Sequence, residues 1–186
     1  MSPSSLAYRP GDSIPESQDV RTSSGTFLMA QMDPGGVLTW LEERIAAVTH
    51  LPVEHGEAFN CLRYMPTQHY DSHYDSFSPD AYGKQPSQRI ATLLLFLSDV
   101  EEGGETVFKR EGSANGNLTI EDWRTCGDHL GIKVRPRQGD AVLFWSARPD
   151  LTLDEHALHG ACPVIKGEKW SMAKWIHEKP LRAPAH

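Results

Sequence analysis

Cysteine is scarce in this chain. It has 3 in 186 residues, too few for a small domain stapled by disulfides, though enough for one bridge and one free thiol. Positive charge is also short. Lys and Arg number 18 against 25 Asp and Glu, a net charge of −7. Such a chain lacks the broad positive field that grips a phosphate backbone, so nucleic acid is not an expected partner. No apolar run approaches the ~20 residues that cross a bilayer, so no membrane segment is expected. The start, from Met1 to Arg9, has no apolar stretch of signal-peptide type. The chain as it stands therefore reads as soluble, in native or trimmed form. It has no internal repeat and no low-complexity tract.

What is present suits one domain. The hydrophobic share is 39% and the charged share 23%, enough for a core and too apolar for disorder. Residues 1–24 read as a poorly ordered leader, because Pro3, Pro10, Gly11 and Pro15 stand among polar residues with few apolar anchors. The folded domain is expected over 25–180. Asp33-Pro34 has the form of a helix start. Leu38, Leu41, Ile45 and Val48 follow on one face, and Pro52 forbids continuation. This helix is expected to pack on a sheet.

Beyond it come short strand-like runs: Phe59–Tyr64, His69–Asp75, Ile90–Leu97, Thr106–Phe108, Ile132–Val134, Ala141–Trp145 and Trp170–Ile176. Their spacing suggests a sandwich or a double-sheet jelly roll. Glu111–Asp128 is too polar for core and reads as an inserted loop, with a weak glycosylation sequon at Asn117-Leu118-Thr119. Ser76–Pro86 reads as a mobile loop.

The stretch His69-Tyr70-Asp71-Ser72-His73-Tyr74-Asp75 carries chemistry. Strand residues two apart face one side, so His73 and Asp75 aim an imidazole and a carboxylate at one point. A distant His would complete the two-His, one-carboxylate set of non-haem Fe(II) oxygenases, and His159 is the candidate. The chain has 9 histidines, and His69 with Asp71, or Asp71 with His73, has the same spacing. On pattern alone these pairs remain rivals, and each His is as well explained as a surface residue. Lys169 follows ten residues after His159. Alternation puts it on one strand face with Ser171, Ala173, Trp175 and His177. A buried Lys there needs an anionic partner, such as a dicarboxylate, whereas taken alone Lys169 reads sooner as a solvent-facing Lys at a turn end.

Several stretches in one order resemble the prolyl 4-hydroxylases of the iron- and 2-oxoglutarate-dependent dioxygenases, the plant and green-algal type above all. They are Arg21-Thr-Ser-Ser-Gly-Thr-Phe27, Arg63-Tyr64 with Tyr70-x-x-His73-Tyr74-Asp75, Gln88-Arg89-Ile90-Ala91-Thr92, and Glu101-Glu-Gly-Gly-Glu-Thr-Val107. Gly139-Asp-Ala-Val-Leu-Phe144 and His159-Gly160-x-Cys162-Pro163 follow, leading into Gly167-Glu168-Lys169-Trp170-Ser171-x-x-Lys174-Trp175-Ile176-His177. The resemblance implies a mainly-β fold, a double-stranded β-helix (jelly roll) core with one or more supporting helices on one face. It implies His73, Asp75 and His159 as Fe(II) ligands. Lys169 is implied as the anchor of the far carboxylate of 2-oxoglutarate, helped by Tyr64 and Thr92, with Trp175 lining the pocket. Tyr70, Arg89 and His177 fall at positions that shape the peptide side.

The implied reaction hydroxylates peptidyl proline with O2 and 2-oxoglutarate, releases succinate and CO2, and draws on ascorbate. The implied partner is a proline-rich peptide, the implied state a monomer and the implied compartment the endoplasmic reticulum or Golgi lumen. Cys126 and Cys162 are a candidate disulfide, leaving Cys61 buried and free. Two other readings stand beside this one: the same chemistry on a non-proline substrate, and a non-catalytic module that binds proline-rich peptides. A zinc or manganese cupin is more remote, since Lys169 has no purpose there. The sequence departs from the family twice. Thr67-Gln68-His69 replaces the usual Gly-Gln-Lys before Tyr70, and the section ahead of Arg21 is short.

Overall fold

A computed structural model describes residues 1–3, 20–112, 126–127 and 131–181. The expected leader falls outside these over 4–19. The expected insert, sequon included, falls outside them apart from 111, 112, 126 and 127.

The strands are β1 (Ser2–Pro3), β2 (Ser24–Leu28), β3 (Phe59–Tyr64), β4 (Tyr70–His73), β5 (Arg89–Phe96) and β6 (Glu102–Gly103). They continue with β7 (Thr106–Phe108), β8 (Ile132–Val134), β9 (Ala141–Trp145), β10 (His159–Ala161), β11 (Val164–Lys166) and β12 (Lys169–His177). Helices α1 (Val37–Thr49) and α2 (Pro79–Tyr82) interrupt them. The major sheet runs β1-β2-β3-β12-β5-β9 and the minor sheet β4-β10-β7-β8, with β11-β6 as a separate pair. All pairings are antiparallel. The result is the expected jelly roll, with α1 supporting one face.

β12 lies at the centre of the major sheet and is covered on both faces, so period 2 sorts its side chains between two layers. Met172 and Ile176 join Phe59, Cys61, Ala91 and Leu93 in the core beneath α1, where Ile45 reaches them. Lys169, Ser171, Ala173 and Trp175 face the cavity between the sheets.

The helix departs from expectation at both ends. It begins at Val37, not at Asp33-Pro34, because Gly36 takes a left-handed conformation (φ 72°) at its N-cap. Asp33 still serves the start from outside, accepting from Leu38 N at 2.8 Å and Gly35 N at 2.9 Å. Val48 is 54% exposed, while Glu42 and Thr49 are buried. At about 100° per residue, Val48 points about 80° away from Leu38, whereas Glu42 and Thr49 lie within about 40° of it. Glu42 tolerates burial because its Oε1 meets Lys174 Nζ at 2.5 Å. Lys174 also donates to Glu57 O.

Thr67, at the first departure from the family pattern, has φ 73°. A β-branched residue is strained there. Thr67→Gly should raise stability by about 1 kcal/mol, read as a higher midpoint in urea. An unchanged or lower midpoint would show that the turn carries no strain.

Cys126 and Cys162 form a disulfide with a sequence separation of 36, and Cys61 is free and buried. Closing a loop of that length stabilises by about 4 kcal/mol in the chain-entropy picture. Reductant should therefore lower Tm clearly. A melt indifferent to reductant would contradict the bridge.

Candidate metal centre

β10 lies against β4 with His159 directly opposite His73, which brings two imidazoles from distant parts of the chain side by side. Gly160 permits the approach: a Cβ there would meet Tyr70 O and Ser72 Oγ at 3.0 Å. The ring centroids of His73 and His159 are 4.4 Å apart. Asp75, two residues past β4, turns its carboxylate between them. Its Oδ1 is 3.5 Å from His73 Nε2 and its Oδ2 is 3.7 Å from His159 Nε2. The three donor atoms lie within 4.8 Å of one another.

Each imidazole is fixed from behind. His73 Nδ1 donates to Asp71 O at 2.8 Å, and His159 Nδ1 donates to Ala157 O at 2.9 Å. A carbonyl only accepts, so both protons sit on Nδ1 and both Nε2 lone pairs face the gap. This backing is what metal-binding histidines require. Burial pushes His159 down to about 4, so it is neutral near pH 7. Burial alone would raise the Asp75 carboxyl. The imidazoles of His159 and His73 and the Arg89 guanidinium overcome this and hold it well below the usual carboxylate range. Two imidazoles and one carboxylate fit a divalent iron of the facial-triad kind. The rival spacing is used otherwise, since His69 Nε2 pairs with Asp71 Oδ1 at 3.3 Å.

A cavity of about 480 Å³, counting its open mouth, runs from this trio into the barrel. Lys169 lines the same cavity and is 1% exposed. Its Nζ donates to Gly104 O at 2.7 Å and Thr106 Oγ1 at 3.4 Å. Among the described residues no carboxylate forms an ion pair with it. Burial lowers its pKa to about 7 against a smaller opposing pull from Glu105. A cation in the same cavity as three metal-type donors suits a small anionic molecule held by both.

Tyr64 is buried in the cavity wall with its ring 5.6 Å from Lys169 Nζ, and its hydroxyl shares a hydrogen bond with Ser23. Thr92 is also in the wall, but its hydroxyl donates to Asp75 Oδ2 at 2.6 Å. That proton orients the carboxylate. Trp175 lines the cavity, and its buried Nε1 has no hydrogen-bond partner among the described residues. Tyr70 stacks on His73, ring centroids 3.7 Å apart, with the Arg21 guanidinium 5.0 Å from the Tyr70 ring. Arg89 and His177 are not among the residues that line the cavity, although the Arg89 charge reaches Asp75. Both bind Glu57: Arg89 Nε at 2.5 Å and His177 Nε2 at 2.7 Å from its Oε1.

Three contributors went unread in the sequence. Arg21 lines the cavity from a segment that reads as leader. Phe144 packs 4.5 Å from the His159 ring. Glu57 joins two sites of distant sequence, and no local pattern marks it.

Comparison with known proteins places this geometry in a family. A family profile described as the 2OG-Fe(II) oxygenase superfamily matches residues 59–177. "Probable prolyl 4-hydroxylase 9" of Arabidopsis thaliana is 50% identical over 179 residues, covering 96% of this chain and 61% of that protein. "Prolyl 4-hydroxylase 13" of the same plant is 47% identical over 179 residues, covering 96% of this chain and 63% of that protein. The chain thus spans about three fifths of the length of these relatives. Among solved structures, the viral collagen prolyl hydroxylase of Paramecium Bursaria Chlorella virus-1, in its 2OG complex, matches with a TM-score of 0.62 and 27% identity over 85% of this chain and 80% of that one. The profile covers well over half of the sequence, with the trio and Lys169 inside it, and so the chain belongs to the 2OG-Fe(II) oxygenase superfamily.

Proposed function

We propose that the protein is a prolyl 4-hydroxylase acting on peptidyl proline in proline-rich chains. The observation that carries this reading is the convergence of His73, Asp75 and His159 in a cavity that Lys169 also lines. The curated relatives named prolyl 4-hydroxylases supply the substrate class. In this reading His73 Nε2, His159 Nε2 and an Asp75 oxygen hold Fe(II), and Lys169 Nζ holds the far carboxylate of 2-oxoglutarate. Iron with 2-oxoglutarate and O2 supplies the oxidising power, yielding succinate, CO2 and the hydroxyl group.

The protein's part is placement. The Nδ1–carbonyl bonds fix both imidazoles, and Thr92 fixes Asp75. Leu62, Leu94, Phe144 and Ala173 wall the cavity and exclude water. Tyr70, Trp175, Arg89 and His177 stand toward the peptide side. No side chain needs to act as a general base. Ascorbate is the expected reductant that sustains turnover. The disulfide favours an oxidising compartment such as the endoplasmic reticulum or Golgi lumen. A non-catalytic binding module would be expected to have lost a ligand or the Lys, and all four residues are in place. The test is stoichiometric. With iron, 2-oxoglutarate, ascorbate and polyproline, succinate and hydroxyproline should appear together. Succinate without hydroxyproline on any proline-rich peptide would refute the substrate class.

The buried Lys169 gives a pH prediction. In the free protein it is charged below about 7 and neutral above. A dicarboxylate favours the charged form and raises that pKa on binding, so binding takes up a proton above pH 7. Affinity for 2-oxoglutarate should be level below pH 7. Above it, affinity should fall about tenfold per unit until the pKa of the bound state is reached. Titration calorimetry of metal-loaded protein, in buffers of different ionisation enthalpy, measures both effects. Constant affinity from pH 7 to 9 would contradict them.

A further inference from the structure

The connection from β4 to β5 reads from sequence as a mobile loop, yet its root is held by one side chain. The Gln88 carboxamide closes on both main-chain groups of Phe77. Phe77 N–H donates to Gln88 Oε1 at 2.7 Å, and Gln88 Nε2 donates to Phe77 O at 2.7 Å. These are the two bonds a neighbouring strand would make, supplied here by a side-chain mimic of a peptide. The same Oε1 takes Arg89 N–H at 3.1 Å, and Ser76 Oγ donates to Arg89 O at 2.7 Å.

So clasped, Phe77 lies over the Arg89 guanidinium, 4.7 Å from its ring centroid, and Arg89 in turn lies 3.9 Å from the Trp175 ring in the cavity wall. Tyr82, on α2, packs edge-on against Phe77 at 5.4 Å. The clasp therefore connects the loop's aromatic pair to the cavity wall through Arg89. A polyproline segment has no N–H to offer and is recognised by aromatic walls.

We propose that Gln88 is a positioning residue for the peptide substrate, acting through Phe77 and Arg89 to set the 76–86 connection as one wall of the peptide groove. This rests on the prolyl hydroxylase reading. Gln fits the task because it both accepts and donates at the required reach. Glu keeps the acceptor and loses the donor.

The test compares Gln88→Ala, Gln88→Glu, Phe77→Ala and the Gln88→Ala/Phe77→Ala double variant. The probes are a short polyproline oligomer and amide hydrogen exchange. Gln88→Ala and Phe77→Ala should each raise the KM for polyproline about tenfold, with the KM for 2-oxoglutarate unmoved. Amide exchange at Phe77 should accelerate about tenfold in Gln88→Ala and less in Gln88→Glu. The double variant should be no worse than the worse single one, since both remove one connected unit. Unchanged exchange at Phe77 in Gln88→Ala, or fully additive KM effects, would overturn the proposal. If the unmodified protein does not turn over polyproline, the substrate reading fails, and the exchange arm still decides whether the clasp holds the loop.

Discussion

His159→Ala should leave a folded protein that binds iron at least about 1000-fold more weakly and yields no peptide-dependent succinate. Losing an outer partner of a metal ligand typically costs 10–100-fold, and His159 is itself one of the three donors. With His73 and Asp75 alone, two protein ligands remain for an ion that this family of sites holds with three. The imidazole also fills space beside Phe144 and Phe108, so some stability is lost to the cavity left behind. Iron content after anaerobic reconstitution, read beside circular dichroism, separates the two effects. A folded variant with full iron content and turnover would exclude His159 as a ligand.

Lys169→Met should move affinity and stability in opposite directions. The ammonium is buried without a described carboxylate partner, an arrangement that costs stability in the free protein. Because its folded pKa lies below the unfolded value of about 10.4, that cost is full below pH 7. It is relieved as pH rises from about 7 toward 10.4. Methionine keeps the volume and removes the charge, so Tm at pH 7 should rise. Affinity for 2-oxoglutarate should fall by roughly 30- to 5000-fold, the range for losing one partner of a buried charge pair. A Lys kept for structure would give the reverse, a lower Tm with unaltered affinity.

These residues were legible because strand geometry is simple. A period of 2 on one strand placed Lys169, Ser171, Ala173, Trp175 and His177 together; the first four line one cavity, while a register shift between Ile176 and His177 accompanies the turn of His177 to Glu57. His73 and Asp75 shared their two-residue spacing with the His69/Asp71 and Asp71/His73 pairs, and the family resemblance chose among them. His159 could be nominated but not placed by pattern, because its position depends on the β10–β4 register, a long-range fact. The same limit hid Glu57, which binds Arg89 and His177 across gaps of 32 and 120 residues. It also hid the hydrogen bond from Thr92 to Asp75, made across 17 residues. The helix shows a different limit. Apolar spacing put Val48 inward, but burial follows the angle about the axis, and a charge with a partner outranked an apolar residue at the edge of the stripe.

The central claim is that His73, Asp75, His159 and Lys169 form one site that takes a metal and a dicarboxylate together. Anaerobic titration of 2-oxoglutarate, with and without Fe(II), tests it most directly. Binding should be one to one, strongly metal-dependent, and weakened alike by His159→Ala and Lys169→Met, with each ligand tightening the other by the same factor. Tight 2-oxoglutarate binding that ignores both the metal and the two substitutions would contradict it.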